Sequence, residues 1–225
     1  MEPLVLRPIG EVVSPYIKPY HAPRQVDADD RQHPAIVRLF PHPTAHQMLH
    51  DLDGFERLWV LSWFHRISGW KAKVLPPRSR IKRGVLATRS PHRPNPIGIS
   101  AVTLIGIRGL DIHIDGCDLL HGTPVIDVKP YLPYADAFPD ARAGWVDAIN
   151  QTHYKVSWQC PQPNDPSLVA HIERTLAADP FPHPYRRIRL DEGGTGVLAV
   201  EHLRVTFHLD NATVVVTAIH AAEPT

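Results

Sequence analysis

The stretch Ser100 to Ile114, SAVTLIGIRGLDIHI, decides how this 225-residue chain folds. Leu110, Ile112 and Ile114 alternate with Asp111 and His113, the period of two of a strand with one face on a core and the other in water. Ser100 to Ile107 is a second apolar run, and Arg108-Gly109 between them supplies a turn, so the segment predicts a β-hairpin. Downstream, Thr123 to Val128 reads as a strand stopped by Pro130. Upstream, Arg57 to His65 (RLWVLSWFH) is almost continuously apolar and predicts a strand buried on both faces at the centre of the core. Val5 to Val13 predicts another, ended by Ser14-Pro15, and Gly84 to Thr88 is a short apolar run. A helix is expected over Thr44 to Leu52, with Thr44 as N-cap, Gln47 as its capping-box partner and a stop at Gly54. Short strands with little helix between them predict a mainly β chain whose antiparallel sheet closes into a single-sheeted barrel.

Composition agrees. Proline numbers 24, about 11% and roughly twice the usual share, which disfavours long helices. Lys and Arg (24) nearly balance Asp and Glu (23), so any RNA or phosphate site must come from local clustering, and a histone-like or acidic-tail protein is excluded. The apolar runs are shorter than the roughly 20 residues of a membrane-spanning helix, and Met1 to Arg7 lacks a signal-peptide h-region. The cytoplasm is the expected compartment, with Cys117 and Cys160 reduced. Prolines 133, 139, 161, 163 and 166 interrupt the apolar pattern, so the expected organisation is a barrel domain over 1–145, a Pro-rich linker over 146–165, and a small α+β domain over 166–225. In the last, Asp165-Pro166 opens a helix with Leu168, Val169, Ile172 and Leu176 on one face, and Val197 to Phe207 pairs with Thr213 to Ile219 around Asp210-Asn211.

The familiar cofactor signatures are missing: neither a G-x-G-x-x-G helix opening nor a P-loop occurs. His42, His46 and His50 have helical spacing, but Pro43 interrupts them and no Glu accompanies them, so they read as a solvated face and no metal is expected. Arg89 to Gly98 (RSPHRPNPIG) is different. Pro91, Pro94 and Pro96 stiffen the loop in advance, Arg89 and Arg93 offer planar forks for carboxylate or phosphate, and Asn95 offers an amide edge. Arg78, Arg80, Lys82 and Arg83 lie just upstream, as a basic track for RNA or an exposed loop. In Leu119 to Tyr131, the groups Asp127, Lys129 and Tyr131 fall on one side of a strand, as a polar cluster or a plain ion pair. Ala22-Pro23-Arg24-Gln25 is a third candidate binding loop.

Six motifs carry a resemblance over about residues 5 to 145: Ser14-Pro15-Tyr16; Pro23-Arg24-Gln25; Trp63-Phe64-His65; Ala87-Thr88-Arg89-Ser90; Arg93-Pro94-Asn95-Pro96-Ile97-Gly98; and Asp118-Leu119-Leu120 through Gly122-Thr123-Pro124-Val125 to Asp127-Val128-Lys129-Pro130-Tyr131. In this order the chain resembles the TrmO (TsaA-like) family of S-adenosylmethionine-dependent tRNA methyltransferases. The resemblance implies a homodimeric β-barrel that methylates the exocyclic amine of threonylcarbamoyladenosine beside the tRNA anticodon, with neither membrane nor DNA as a partner. It puts the cofactor contacts on Pro23, Arg24 and Gln25, on His65 and Arg66, on Arg89 and Ile99, and on the turn Leu119, Leu120, His121, Gly122 and Thr123. His121 stands where the family often has an acidic residue, Arg66 where it has Gln, and His202 where it has Asp.

Methyl transfer from a sulfonium needs alignment and exclusion of water, and the weakly nucleophilic adenine amine gains from a nearby proton acceptor. Asp127 is expected to organise that site, with Lys129 and Tyr131 beside it, while Arg93, Asn95 and Arg83 are expected to face the tRNA. The competing readings are a non-catalytic RNA-binding module and a methyltransferase for small molecules.

Overall fold

The computed structural model describes residues 2, 4–18, 22, 33–76, 79–147, 154–182, 188–191, 193–200 and 202–222. The chain divides into two compact units, residues 1–76 with 81–141, and residues 77–80 with 142–225.

The first unit contains β1 (Gly10–Val13), β2 (Ala35–Leu39), α1 (Ala45–Met48), β3 (Arg57–Trp63), β4 (Lys73–Val74), β5 (Arg83–Gly84), β6 (Ile97–Arg108), β7 (Asp111–Asp115), β8 (Pro124–Pro130) and α2 (Pro133–Asp136). Six of these strands close an antiparallel barrel in the order β1-β2-β7-β6-β3-β8, with Gly10 opposite Val125 sealing it. The hairpin that suggested this fold is present, its turn one residue later than expected, at Gly109-Leu110, where Gly109 takes φ +62°. Inside lie Val12, Val37, Leu58, Val60, Val102, Ile112, Ile114 and Val125, all 0–1% exposed. Each such side chain contributes about 1.5–3 kcal/mol by leaving water.

Three local expectations change, the first being the strand over Val5 to Val13, which is confined to Gly10–Val13 with Val5 and Leu6 exposed. Arg57–Trp63 is not buried on both faces: Leu58, Val60 and Ser62 point into the barrel, while Trp63 on the alternate set is exposed. Closure into a barrel gives every strand only one inner face. The expected helix over Thr44 to Leu52 shrinks to α1, followed by a 3-10 turn at Leu52–Gly54. Thr44 does not cap it, because its Oγ1 is bonded to His42 Nδ1 at 2.9 Å.

The second unit has β9 (Lys155–Trp158), α3 (Pro166–Ala178), β10 (Ile188–Leu190), β11 (Thr195–Val200), β12 (Leu203–Asp210) and β13 (Thr213–Ala221), in a sheet ordered β10-β11-β12-β13-β9. Leu168, Ile172 and Leu176 bury the helix in a core with Leu198, Val205, Phe207, Val214 and Val216. The stretch 146–165, expected as a linker, contributes β9, which runs parallel to β13 from Lys155 opposite Thr213. Its proline content hid a strand of only four residues. The run Val197 to Phe207 is likewise two strands, turning back between Val200 and Leu203. Among the described residues no helix is long and apolar enough to cross a membrane.

Candidate active site

Side-chain and backbone bonds of its own make the loop Arg89 to Gly98 rigid. Thr88 Oγ1 donates to the Val85 carbonyl at 2.8 Å and accepts from the Ser90 amide at 3.3 Å. Ser90 Oγ in turn accepts from the His92 amide, and the Arg93 and Ile97 amides close onto the Pro91 and Asn95 carbonyls. Arg93 Nη1 reaches back to the Thr88 carbonyl at 3.4 Å. The loop is tied to its surroundings by Phe64 N–H to Pro96 O at 2.8 Å and Lys71 N–H to His92 O at 3.1 Å. Gly98 lets it re-enter the barrel wall, since a Cβ there would lie 2.6 Å from Ser62 Oγ and 2.7 Å from Phe64 Cζ. Arg89 stands out of this scaffold, exposed and without a hydrogen bond or ion pair among the described residues.

The turn before β8 is pinned just as firmly. Gly122, at φ +73°, donates its amide to Val12 O at 2.8 Å, and the His121 amide donates to Tyr16 O at 2.8 Å. Ser14 Oγ donates to Leu119 O at 2.9 Å. Arg66 bridges the two segments, its guanidinium donating to Ile17 O at 3.0 Å and His121 O at 3.2 Å. Tyr16 hydroxyl is bonded to His33 Nδ1, and the His33 amide donates to Asp115 Oδ1. Asp118 accepts from Ser100 Oγ at 2.6 Å. Burial raises the Asp118 carboxyl above the ordinary carboxylate value, partly offset by the Ser100 bond, by a bond from its own backbone amide, and by the charges of Arg89 and His33. Burial pushes the neighbouring Cys117 thiol up to about 12, which removes it as a nucleophile.

On the outer wall, Ile99 of β6 pairs with Leu61 of β3, which pairs with Asp127 of β8. The side chains of that row lie on the face opposite Leu58, Val60 and Ser62, and Ile99 and Asp127 are two strand spacings apart, roughly 10 Å. Asp127 Oδ2 is ion-paired with Lys129 Nζ at 2.9 Å, the lysine exposed and the aspartate half-buried. Tyr131 packs on Trp59 with ring centroids 5.3 Å apart, and His65 meets Trp63 at 6.4 Å. Trp63, Ile97, Ile99 and Ile105 expose 40–64% of their surface along this wall.

Comparison with known proteins adds the family. The family description tRNA-methyltransferase O N-terminal domain matches residues 11–137. The tRNA (adenine(37)-N6)-methyltransferase of Escherichia coli (strain K12) is 34% identical over 195 residues, 80% of this chain and 82% of that protein. This chain belongs to the TrmO family. The crystal structure of TrmO from Pseudomonas aeruginosa aligns at TM-score 0.64 and 31% identity over 98% of this chain and 99% of that one. A probable S-adenosyl-L-methionine-binding protein of Pyrococcus abyssi is 38% identical over 141 residues, 63% of this chain and 75% of that one.

In this TrmO-family chain the residues singled out from sequence divide three ways. Arg66, Leu119, Leu120, His121, Gly122 and Thr123 come together through hydrogen bonds to one another and to the segment Val12 to Ile17, while Arg89 stands on the loop Arg89 to Gly98. Ile99, Asp127, Lys129 and Tyr131 share the outer wall, with His65 at its edge. Pro23, Arg24 and Gln25 lie outside the described residues, as does Arg78. Of the upstream basic run, Arg83 sits in β5 opposite Val74, and Arg80 belongs to the second unit, its guanidinium 5.3 Å from the Phe181 ring centroid. Sequence reasoning missed Ser100, His33 and any role for Asp118. The signal for Ser100 was its register, an inward position two residues before buried Val102.

Proposed function

We propose that this TrmO-family chain is an S-adenosylmethionine-dependent tRNA (adenine(37)-N6)-methyltransferase that methylates the exocyclic amine of threonylcarbamoyladenosine in the cytoplasm. The observation that carries it is the turn Leu119 to Thr123, fixed by five independent bonds to the segment Val12 to Ile17 and to Arg66, together with an exposed Arg89 on a rigid loop of the same barrel. The residues fit the donor: a free guanidinium suits the carboxylate of its methionine part, and a pinned turn with apolar Leu119 and Leu120 suits an adenine edge. The names of the Escherichia coli and Pyrococcus abyssi relatives agree with this chemistry.

The bound donor supplies an activated methyl group on sulfur. The chain's part is to hold and align. Arg89 fixes one end, and the turn Leu119 to Thr123 with His65 and Arg66 fixes the other, joined in this reading by Pro23, Arg24, Gln25 and Ile99. As the methyl carbon bonds to the adenine nitrogen and its bond to sulfur breaks, that nitrogen must lose a proton. Asp127 accepts it in this reading, with Lys129 and Tyr131 beside it on the same face of the strand. Arg93, Asn95 and Arg83 supply contacts to the tRNA backbone. The apolar wall bearing Trp63, Ile97, Ile99 and Ile105 is the face on which a second copy of the chain would sit, giving a homodimer; neither a membrane nor DNA is a partner. The barrel domain in this reading ends near residue 145 and the α+β domain follows from 166.

The decisive experiment is methyl incorporation into matched tRNAs with and without the threonylcarbamoyl group. Transfer only to the modified tRNA is expected. Binding of tRNA without donor binding would mean an RNA-binding module, and methylation that ignores tRNA would mean a small-molecule enzyme.

A further inference from the structure

We propose that one face of the second unit's sheet binds the phosphate backbone of a base-paired arm of the tRNA, through Lys155, Arg189 and Arg204 with His208 and His220. The inference rests on the proposed tRNA substrate and adds a surface outside the barrel. Helix α3 covers the other face, where Leu168, Ile172 and Leu176 pack with Leu198, Val205 and Phe207. Alternation along each strand sends the intervening side chains away from that core. Arg204 and His208 therefore flank buried Val205 and Phe207 on the far side of β12. Arg189 stands opposite outward Val197, next to buried Ile188, and His220 stands opposite Arg204. Lys155 precedes Val156, which packs against the core, and stands opposite Thr213. All five basic side chains of the five strands thus share one face. Asp210, at the β12–β13 hairpin, is the one acid in those strands, and it accepts from Asn211 Nδ2 at 3.1 Å.

Register fixes the layout. Arg204 and Lys155 lie three side-chain rows apart along the strands, and Arg189 and Lys155 lie four strands apart across them, roughly 20 Å in each direction. Cations scattered so widely do not converge on a small anion; they suit a polymer that carries charge along its whole length. Lys155, Arg189 and His220 are exposed, and none of the five basic groups is ion-paired among the described residues; Arg204 Nη1 donates only to the Leu203 carbonyl, at 3.0 Å. The net charge of the whole chain is +1, so this local excess is what a polyanion would meet. Trp158 and Phe207 turn to the core, which leaves the basic face without the Phe, Tyr or Trp platform on which single-stranded bases stack. Thr195, Thr206 and Ser157 lie between the cations instead, and their hydroxyls can donate to phosphate oxygens. The face is therefore built to hold a backbone and not to read bases. Two identical basic faces would repel each other, which disfavours a second copy as the occupant.

The test is filter binding of the full chain, across a series of potassium chloride concentrations, to a tRNA bearing the threonylcarbamoyl group and to an unrelated tRNA without it. The triple variant Lys155→Gln, Arg189→Gln, Arg204→Gln is expected to bind both tRNAs about 10- to 100-fold more weakly at about 0.15 M salt, with the slope of log affinity against log salt shallower by about two. Affinity for S-adenosylhomocysteine should stay within about twofold, and KM for tRNA should rise while kcat holds. Unchanged affinity and slope overturn the proposal. So does a loss confined to one tRNA, which would mean base reading, and so does unchanged tRNA binding with an altered oligomeric state by light scattering, which would mean that a second copy sits there. Should the triple variant fail to fold, the single exposed variants Lys155→Gln and Arg189→Gln decide: each must flatten the slope by about one, and two unchanged slopes overturn the assignment. A wild type that methylates tRNA while the variants bind it normally loses only this surface. A wild type that binds no tRNA loses the substrate reading as well.

Discussion

Asp118 and Asp127 flank the same turn and strand but differ in what holds them. Asp127 is half-buried on the outer wall, satisfied by Lys129 at 2.9 Å and by the Val128 amide at 2.9 Å. Asp118 is also half-buried, and it accepts from the Ser100 hydroxyl and from its own amide. A surface ion pair is worth about 0–1 kcal/mol, so it opens readily when a substrate approaches. A partly desolvated carboxylate costs free energy, which neutral donors offset only in part. One carboxylate is held by a neighbouring charge, the other by neutral donors of the fold.

The largest expected effect belongs to the end of the barrel. Arg89→Ala should weaken donor binding by about 100-fold or more, as removal of one side of a charge-assisted bidentate contact does. Calorimetry reads this directly, and an unchanged affinity would erase the contrast by making Arg89 a surface group. The outer wall comes next: Asp127→Asn should lower turnover at saturating donor by about 10²-fold, the lower range for loss of a general base, while donor affinity stays put. Full turnover would leave Asp127 as nothing more than the partner of Lys129. A smaller loss, about tenfold in KM for the donor with kcat nearly preserved, is expected for Arg66→Ala. Arg66 positions the turn through the carbonyls of Ile17 and His121, and an equal drop in kcat would make its role structural.

What the sequence made legible follows the same line. Period-two alternation picks out residues sharing a face, and Asp127, Lys129 and Tyr131 do share one, just as Ile112 and Ile114 share the core. Alternation does not say whether a polar set faces a cavity or the solvent, because that depends on how far a sheet curls before it closes. Proline spacing marked Arg89 to Gly98 as stiff, and its chain of hydroxyl and backbone bonds agrees. The Ser100 to Asp118 bond was out of reach, since β6 and the turn after β7 meet only once the hairpin has bent; the sequence separation of 18 carries no periodic signal. The strand Lys155–Trp158 was hidden for a related reason, as its parallel partner lies beyond a helix and three other strands.

A third aspartate sharpens the contrast with the smallest effect. Asp111 is bidentately bonded to Arg38, Oδ1 to Nε and Oδ2 to Nη2 at 2.8 Å each, on the barrel surface. The Arg38 hydrogen bond holds its carboxyl below the ordinary value, whereas burial holds Asp118 above. The two must then act in opposite directions on stability. A depressed folded-state value means that Asp111 stabilises the fold above the ordinary carboxylate range, a contribution lost as pH falls through the folded value. A raised value means that Asp118 binds its proton more tightly when folded, so acidification through that raised value towards the ordinary one relieves a cost. Because the Arg38 pair is exposed and screened, Asp111→Asn should lower unfolding stability at neutral pH by about 1 kcal/mol at most, and by nothing at a pH where both states are protonated. Denaturant titration of Asp111→Asn and Asp118→Asn across the acid range should give opposite slopes relative to wild type. If Asp118→Asn instead destabilises more at neutral than at acid pH, then its neutral donors fully satisfy the carboxylate, and the distinction between an acid held by charge and one held by dipoles is lost.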